Sequence, residues 1–212
     1  NFIDRFKANA SKSKQATSRK KSLDKIKLDE IIPSSRKYPF INFEPEVVLG
    51  KDILVMENIN VTIDGEVILK DFNLTVRLED KIAFIGDNEK AKTVLFELIA
   101  GNLKADSGMI HIGKNVNLGY FKKDHSQYFK EDVSLVEWLR AYSSNKEDSF
   151  VRGFLGRMLF SGEEALKSVT VLSGGEKVRS MMAKIMLSHP NMLVLDEPSN
   201  HLDIESITSL NK

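Results

Sequence analysis

The sequence predicts an α/β fold in which a mostly parallel β-sheet is combined with an antiparallel β portion and a helical portion. Two short apolar runs, residues 82–85 and 192–195, have the length and composition of strands buried on both faces. The first run leads through a loop into an apolar helical face, which is the order of elements found in parallel α/β sheets. We expect the antiparallel portion at about residues 51–80 and the helical portion at about residues 125–185.

The first 28 residues form a basic segment with nine Lys/Arg, two acidic residues and neither glycine nor proline. Some of its few apolar residues recur at helical spacing, which predicts a charged helix that needs a partner to be stable. Ile32-Pro33 would end this helix, and a connector would follow. We therefore divide the chain into residues 1–46, the end of a basic helical linker, and residues 47–212, a separate domain. Because the chain lacks an initiator methionine, we interpret it as a piece of a longer protein.

A β-hairpin is predicted at the start of the second domain. Residues 53–63 have the composition of a strand, and Asp64-Gly65 is a tight-turn signal. The next strand would have one face buried, because polar residues alternate with apolar ones at Phe72, Leu74, Val76 and Leu78.

Helices are predicted from apolar faces and from their end signals. Residues 94–99 carry an apolar face that Gly101 can close, and Ser134 with Glu137 matches a capping box. A further apolar face covers residues 150–159, and a last helix over about residues 176–187 would stop before a proline.

The composition excludes several classes of protein. With no cysteine there is neither a disulfide framework nor a thiolate zinc site. No apolar run approaches the roughly 18–20 residues of a membrane span, and the opening residues are too charged for a signal peptide. A net charge of +1 and 42% hydrophobic residues fit a soluble globular protein, and we expect a cytoplasmic one.

The stretch GDNEKAKT, residues 86–93, has the frame of a phosphate-binding loop at a helix N-terminus. Lys92 would reach the outer phosphates and the Thr93 hydroxyl would bind magnesium. Ala91 replaces a glycine, which costs little in a right-handed backbone and roughly 1–2 kcal/mol at positive φ. Glu89 would repel phosphate if it pointed inward, although Lys90 beside it can offset this. A surface turn before a core helix explains this loop about as well when it is taken alone.

Two further motifs favour the phosphate interpretation. Residues 192–195 lead directly into Asp196, which can hold magnesium, and Glu197, which can orient or deprotonate an attacking water. Residues 172–176, LSGGE, supply a hydroxyl, two glycines and a helix N-terminus, and so form a second phosphate-binding surface. Each has a simpler explanation alone, namely an acidic turn and a helix cap, but their combination in this order is specific.

LSGGE followed by VLDEPSNHLD resembles the nucleotide-binding domain of ATP-binding cassette (ABC) proteins. That resemblance implies binding of ATP and Mg²⁺ and an ATP hydrolase activity, with Glu197 catalytic and with Thr93 and Asp196 as the magnesium ligands. Two such domains would clamp each ATP, so the LSGGE motif would serve the nucleotide held by the other domain. The implied nucleotide-binding residues are Gly86, Asp87, Asn88, Glu89, Lys90, Ala91, Lys92, Thr93, Ser173, Gly174 and Gly175.

The form EPSNHLD narrows the resemblance to the ABC-F proteins, and longer segments resemble a Gram-positive bacterial subgroup. ABC-F proteins carry two cassettes on one chain and act on the ribosome. This chain would then hold the end of the linker and most of the second cassette. The implied partners are a first ABC domain of the same chain, and the ribosome or tRNA through the basic segment. No membrane subunits are expected.

The sequence departs from the family pattern at two places. Lys123 stands where the family has a glutamine that contacts water or magnesium, and Gln127 is a weak substitute candidate. Ile63 stands where an aromatic residue usually stacks on adenine. His201 belongs to the NHLD motif, and we assign it a packing or hydrogen-bonding role. Two alternatives stay open, namely the ATPase subunit of a membrane transporter and a degenerate cassette that binds no ATP. The chain by itself is expected to be inactive, since it cannot build a complete site.

Overall fold

The computed structural model describes residues 37–50 and 52–211, which fall within the structural unit Lys37–Lys212. The basic helix predicted at residues 1–28 and the break at Ile32-Pro33 lie outside the described residues. The division near residue 46 stays a prediction.

An antiparallel sheet opens the described fold. Strand β1 (Asp52–Ile63) pairs with β2 (Glu66–Arg77) through the turn Asp64-Gly65, whose φ angles of 53° and 80° are the left-handed values such turns require. β3 (Ser107–Ile112) pairs antiparallel with the other edge of β1. The hairpin is therefore confirmed, although Leu78 lies beyond β2. β3 was not predicted, because nearly all of its side chains are exposed and give no alternation.

Helix α1 (Glu89–Ile99) covers this sheet with the apolar face predicted from the sequence. Its buried residues join one core with buried side chains of β1 and β2, and each contributes about 1.5–3 kcal/mol of burial energy. The helix ends at Ile99 with Ala100 as its C-cap, and Gly101 follows with φ 73°, the left-handed value that glycine adopts without strain. The predicted closure by Gly101 is confirmed.

The strand predicted at residues 82–85 is absent. These residues belong to no strand, Ile82 is 45% exposed and Ile85 is 96% exposed. Ile82, Ala83 and Phe84 line a groove of about 810 Å³ together with Met192 to Leu195. The prediction failed because an apolar run becomes a buried strand only when neighbouring strands accept its hydrogen bonds, and no strand among the described residues does so.

The α/β fold class is nevertheless confirmed by a parallel pair of strands. β4 (Leu118–Phe121) and β5 (Met192–Leu195) run in register, so that Phe121 lies opposite Leu195. The register continues one step further, since Asp196 N donates to the carbonyl of Phe121 at 2.9 Å. Because parallel strands end at the same edge, the residues after β4 and those after β5 lie side by side.

A helical portion follows β4, as predicted. It contains α2 (Leu135–Tyr142), α3 (Asp148–Arg157), α4 (Gly174–Leu187) and the 3₁₀ turns Ser126–Phe129, Gly162–Leu166 and Val169–Val171. A short helix, α5 (Ile204–Leu210), comes after β5. The predicted capping box of Ser134 and Glu137 is present at α2. The helices share a second core, and none of those described is long and apolar enough to cross a membrane.

Candidate functional site

The loop before α1 contains most of the residues predicted to bind phosphate. Asn88 caps the helix, since its Oδ1 accepts from the N–H of Ala91 at 3.0 Å and its carbonyl accepts from Lys92 N at 3.3 Å. Ala91 lies inside α1, in the right-handed conformation where a methyl group is unstrained. The missing glycine therefore has no backbone cost in this conformation. The N–H of Ala91 is, however, occupied by Asn88 rather than open to an anion.

The remaining loop residues are exposed. Gly86 has φ 155°, and open space surrounds the position that a Cβ would take. The carbonyl of Asp87 accepts from Glu89 N at 3.0 Å. The sequence suggested that Lys90 offsets the negative charge of Glu89. In the structure, Lys90 Nζ instead pairs with Glu66 on β2 at 2.7 Å. The charge that neutralises Glu89 comes from elsewhere in the chain.

The magnesium ligands predicted from the sequence meet in the structure. Thr93 Oγ1 donates to Asp196 Oδ2 at 3.1 Å, which joins α1 to the end of β5. Asp196 is only 4% exposed, and this burial raises its pKa above the ordinary value despite the hydrogen bond from Thr93. A buried carboxylate whose side-chain partner is a neutral hydroxyl is a suitable ligand for a cation. The cation would supply the positive charge that compensates for the lost hydration of the carboxylate.

Glu197, the predicted catalytic residue, follows Asp196 directly and has both carboxylate oxygens engaged. Oε1 accepts from Lys123 Nζ at 3.1 Å, and Oε2 accepts from Asn200 Nδ2 at 2.6 Å. The hydrogen bond from Lys123 is the largest cause that lowers the pKa of Glu197. The backbone of Glu197 has φ 49°, a left-handed value that is unfavourable for a residue with a side chain.

Lys123, at the place of the family's glutamine, lies between two carboxylates. Its Nζ donates to Glu89 Oε2 at 2.7 Å as well as to Glu197 Oε1. These two hydrogen bonds raise the pKa of Lys123 to about 12, so the ammonium is charged at neutral pH. Gln127, the weak substitute candidate, lies in the turn Ser126–Phe129 and is exposed.

Lys92 acts on the same cluster through its charge. It lowers the pKa values of both Asp196 and Glu197, although neither effect is the largest at its site. The structure thus brings together the phosphate-loop lysine, the hydroxyl of Thr93 and the two carboxylates after β5. Such a set can hold a divalent cation and an anion beside a carboxylate that can accept a proton.

The LSGGE motif forms the N-terminus of α4. Ser173 is the N-cap, its hydroxyl donates to Glu176 Oε2 at 2.7 Å, and Glu176 N donates back to Ser173 Oγ at 3.4 Å. A Cβ on Gly175 would lie 2.9 Å from the carbonyl oxygen of His201, and one on Gly174 would lie 3.2 Å from its side chain. His201 therefore packs against the two glycines, in agreement with the packing role assigned from the sequence.

Two sets of neighbours were given no role by the sequence. Asn200 holds Glu197, and its only signal was its position three residues after that glutamate. Glu97 of α1 accepts from Tyr120 Oη at 3.1 Å and pairs with Lys122 at 2.8 Å, so that it joins α1 to β4.

Ile63, which stands where an aromatic residue was expected to stack on adenine, is half-buried against the first core. Within the described residues, no group of three or more His, Asp or Glu side chains is arranged around one metal position.

Most of the chain is similar to known proteins. A family model described as "ABC transporter" matches residues 69–200, and a second with the same description matches residues 1–43. The ABC transporter ATP-binding protein YkpA of Bacillus subtilis (strain 168) is 58% identical over 212 residues, which cover 99% of this chain and 39% of YkpA. The ATP-binding cassette sub-family F member 3 of Pongo abelii is 34% identical over 220 residues, which cover 100% of this chain and 30% of that protein.

Solved structures give the same result. The structure of cbiO1 from Clostridium perfringens, part of the ABC transporter complex cbiONQ, is 26% identical and superposes with a TM-score of 0.56. The superposition covers 76% of this chain and 71% of cbiO1. The curated relatives are much longer than this chain, which spans well under half the length of YkpA and of the sub-family F member 3.

Proposed function

The chain belongs to the ABC transporter family, and from this premise we propose that it is an ATP-binding domain of ABC-F type whose full-length protein hydrolyses ATP. The observation that carries the proposal is the contact between Thr93 and Asp196 at 3.1 Å. It joins the hydroxyl of a phosphate loop to a buried carboxylate, with Lys92 and Glu197 next to them in the chain. A surface turn before a core helix would need no such partner.

The positions of these residues in the structure support the roles that the family resemblance implies for them. Lys92 would bind the outer phosphates of ATP, and Thr93 with Asp196 would hold Mg²⁺. When bound, Mg²⁺ supplies a positive charge that stabilises the phosphoryl group during transfer. Asp196 is suited to this role because its carboxylate is buried. Within the described residues, Thr93 is the side chain that donates a hydrogen bond to it.

Hydrolysis would use Glu197 as the general base. A water oxygen would form a bond to the γ-phosphorus, and the bond between that phosphorus and the β–γ bridging oxygen would break, leaving ADP and phosphate. Glu197 would accept the proton that the water loses. Its carboxylate is ionised at neutral pH, as for any ordinary glutamate, and the hydrogen bonds from Lys123 and Asn200 with the nearby lysines lower its pKa further.

The LSGGE residues Ser173, Gly174 and Gly175 would serve ATP held by another ABC domain. The ABC-F assignment is supported by the EPSNHLD motif and by similarity to a relative named as a sub-family F member. Action on the ribosome is supported by the nine Lys/Arg of the first 28 residues, which suit contact with nucleic-acid phosphates.

The ATPase activity is tested by a Glu197→Gln substitution in the full-length protein. We expect Mg²⁺-dependent release of phosphate to fall by a factor of about 100 or more at this site, with ATP binding retained, since only the proton acceptor is lost. Glu163→Gln, the same change at an exposed glutamate of the turn Gly162–Leu166, is the control. Equal hydrolysis by wild type and Glu197→Gln would contradict the proposal.

The ribosome assignment is tested by sedimentation. Full-length protein is expected to sediment with ribosomes in a salt-dependent manner, and Lys20→Gln with Lys21→Gln should weaken this binding. The alternative, an ATPase subunit of a membrane transporter, is favoured by the similarity to cbiO1. Sedimentation with membranes rather than ribosomes would support that alternative.

A further inference from the structure

An ion-pair bridge joins three separate elements at the candidate site. Lys123, which follows β4, contacts Glu89 at the start of α1 at 2.7 Å and Glu197 after β5 at 3.1 Å. The two carboxylate oxygens are no more than about 6 Å apart, because both contact the same nitrogen. Two acidic groups this close repel each other unless a cation lies between them.

The strand register places two members of this bridge, Lys123 and Glu197, side by side. Phe121 lies opposite Leu195 at the ends of β4 and β5, so Lys123 and Glu197 both stand two residues beyond paired positions. A flexible lysine side chain loses considerable rotamer freedom when it is held in one place. The contact with Glu89 offsets that loss, because it attracts the ammonium group from the other side.

The bridge also accounts for two unusual residues of the candidate site together. A glutamate in the phosphate loop would repel phosphate, and a lysine cannot accept a hydrogen bond as glutamine can. In the structure each of these residues is the partner of the other. Lys90, the nearer cation in the sequence, is occupied by Glu66 and does not take part.

We propose that Glu89 and Lys123 act as one unit that positions the Glu197 carboxylate, with Lys123 as the positioning residue and Glu89 as its anchor. Lys123 holds Oε1 of Glu197 while Asn200 holds Oε2, so the carboxylate has one orientation beside the phosphate loop. Glu89 keeps the lysine from leaving this place. The inference rests on the proposed function, since it concerns the residue that would accept the proton from water.

The test is a double-mutant cycle in the full-length protein, measured as Mg²⁺-dependent ATP hydrolysis with kcat and KM determined separately. The variants are Lys123→Gln, Glu89→Gln, the two combined, and Lys123→Arg. The rate that remains in Glu197→Gln is subtracted, so that any other ABC domain does not contribute. Lys122→Gln is the matched control, because it removes the neighbouring positive charge from a different ion pair, with Glu97.

We expect Lys123→Gln to lower kcat by a factor of about 10 to 100, with a change in KM of less than about threefold, since misplacement of a reacting group affects the chemical step. Glu89→Gln should lower kcat in the same direction, and the double variant should match Lys123→Gln within about twofold. Lys123→Arg keeps the charge and should retain most of the activity. Lys122→Gln should resemble wild type.

Three results would overturn the inference while leaving the proposed function intact. These are an unchanged kcat in Lys123→Gln, an effect on KM alone, and independent effects of Glu89→Gln and Lys123→Gln that simply multiply. Melting temperatures of all variants separate loss of positioning from loss of folding. A wild-type protein without Mg²⁺-dependent hydrolysis would overturn the proposed function and this inference together.

Discussion

At the scale of single residues, the buried carboxylate of Asp196 lowers the stability of the folded protein. Its carboxylate is 4% exposed, and burial raises its pKa because the charged form loses hydration. We predict that Asp196→Asn stabilises the nucleotide-free protein by about 1 kcal/mol, since the amide is neutral and can still accept from Thr93. Urea unfolding with a chelator present measures this change. A less stable variant at neutral pH would contradict it.

The pH dependence of this difference follows from the direction of the pKa shift. A carboxyl whose pKa is raised in the folded state binds its proton more tightly there than in the unfolded chain. The penalty is therefore fully present above the folded pKa, and it disappears as the pH falls toward 3.8, the ordinary value. Glu197 raises the pKa of Asp196 further, whereas the hydrogen bond from Thr93 and the charges of Lys123 and Lys92 lower it without reversing the effect of burial. The stability advantage of Asp196→Asn should shrink as the pH is lowered.

A second residue-scale prediction concerns Gly175. A Cβ there would lie 2.9 Å from the backbone carbonyl oxygen of His201, which cannot move without its loop. We expect Gly175→Ala to lower the free energy of unfolding by about 1–3 kcal/mol, the usual cost of overpacking. Gly174→Ala is the control, because its Cβ would meet the His201 side chain at 3.2 Å and a side chain can shift. Equal stability of the two variants, measured in urea, would contradict the prediction.

At the scale of elements, helix α3 (Asp148–Arg157) carries a glycine that the fold does not require. Gly153 is exposed, and a Cβ there would meet nothing within 4 Å. We predict that Gly153→Ala raises the free energy of unfolding by about 0.5–1 kcal/mol, because alanine loses less backbone entropy in a helix. Gly101→Ala should instead destabilise the protein, since Gly101 has φ 73°. Thermal unfolding of both variants checks the opposite signs.

Residues 82–85 provide another test at this scale. They belong to no strand, so their amide groups lack the protection of a sheet. We predict that in this 212-residue chain they exchange hydrogen at rates typical of exposed loops. The amides of Leu54 to Met56 in β1, paired on both sides, should exchange far more slowly. Comparable protection of the two segments, measured by mass spectrometry, would contradict this expectation.

These elements show which parts of the fold the sequence could predict. The hairpin turn, the α1 face and the α2 capping box depend on neighbours within a few residues, and all three are confirmed. Residues 82–85 were predicted wrongly and β3 was missed, because both depend on partners far along the chain. At the site, Thr93 and Asp196 could be named from their motifs. The bridge from Lys123 to Glu89 could not, since it needs three elements to be placed in space.

At the scale of the whole molecule, the candidate site is assembled from distant parts of the chain. Thr93 and Asp196, which are 103 positions apart, meet across α1 and β5, and Lys123, which follows β4, contacts Glu197 next to Asp196. Loss of either strand end would therefore disturb the whole cluster. LSGGE belongs to a different part of the fold, where its hydroxyl and glycines are engaged by Glu176 and His201.

This separation leads to a prediction for the 212-residue chain itself. If Lys92 holds the chain's own ATP and Ser173 serves the ATP of another domain, Lys92→Met should weaken ATP binding by a factor of about 10 or more. Ser173→Ala should change that affinity by less than about twofold, although loss of the N-cap lowers stability by about 1 kcal/mol. Neither the wild-type chain nor its variants should hydrolyse ATP.

Equilibrium titration with a fluorescent ATP analogue and Mg²⁺, together with a phosphate-release assay, measures both outcomes. Lys114→Met is the control, because it removes an exposed lysine remote in sequence from the three motifs. Weakening by Ser173→Ala as large as that by Lys92→Met would place both residues on the same nucleotide. If the chain alone hydrolyses ATP and Glu197→Gln abolishes this activity, one domain is sufficient for turnover. The LSGGE surface of a second domain would then be unnecessary, and the prediction would be wrong.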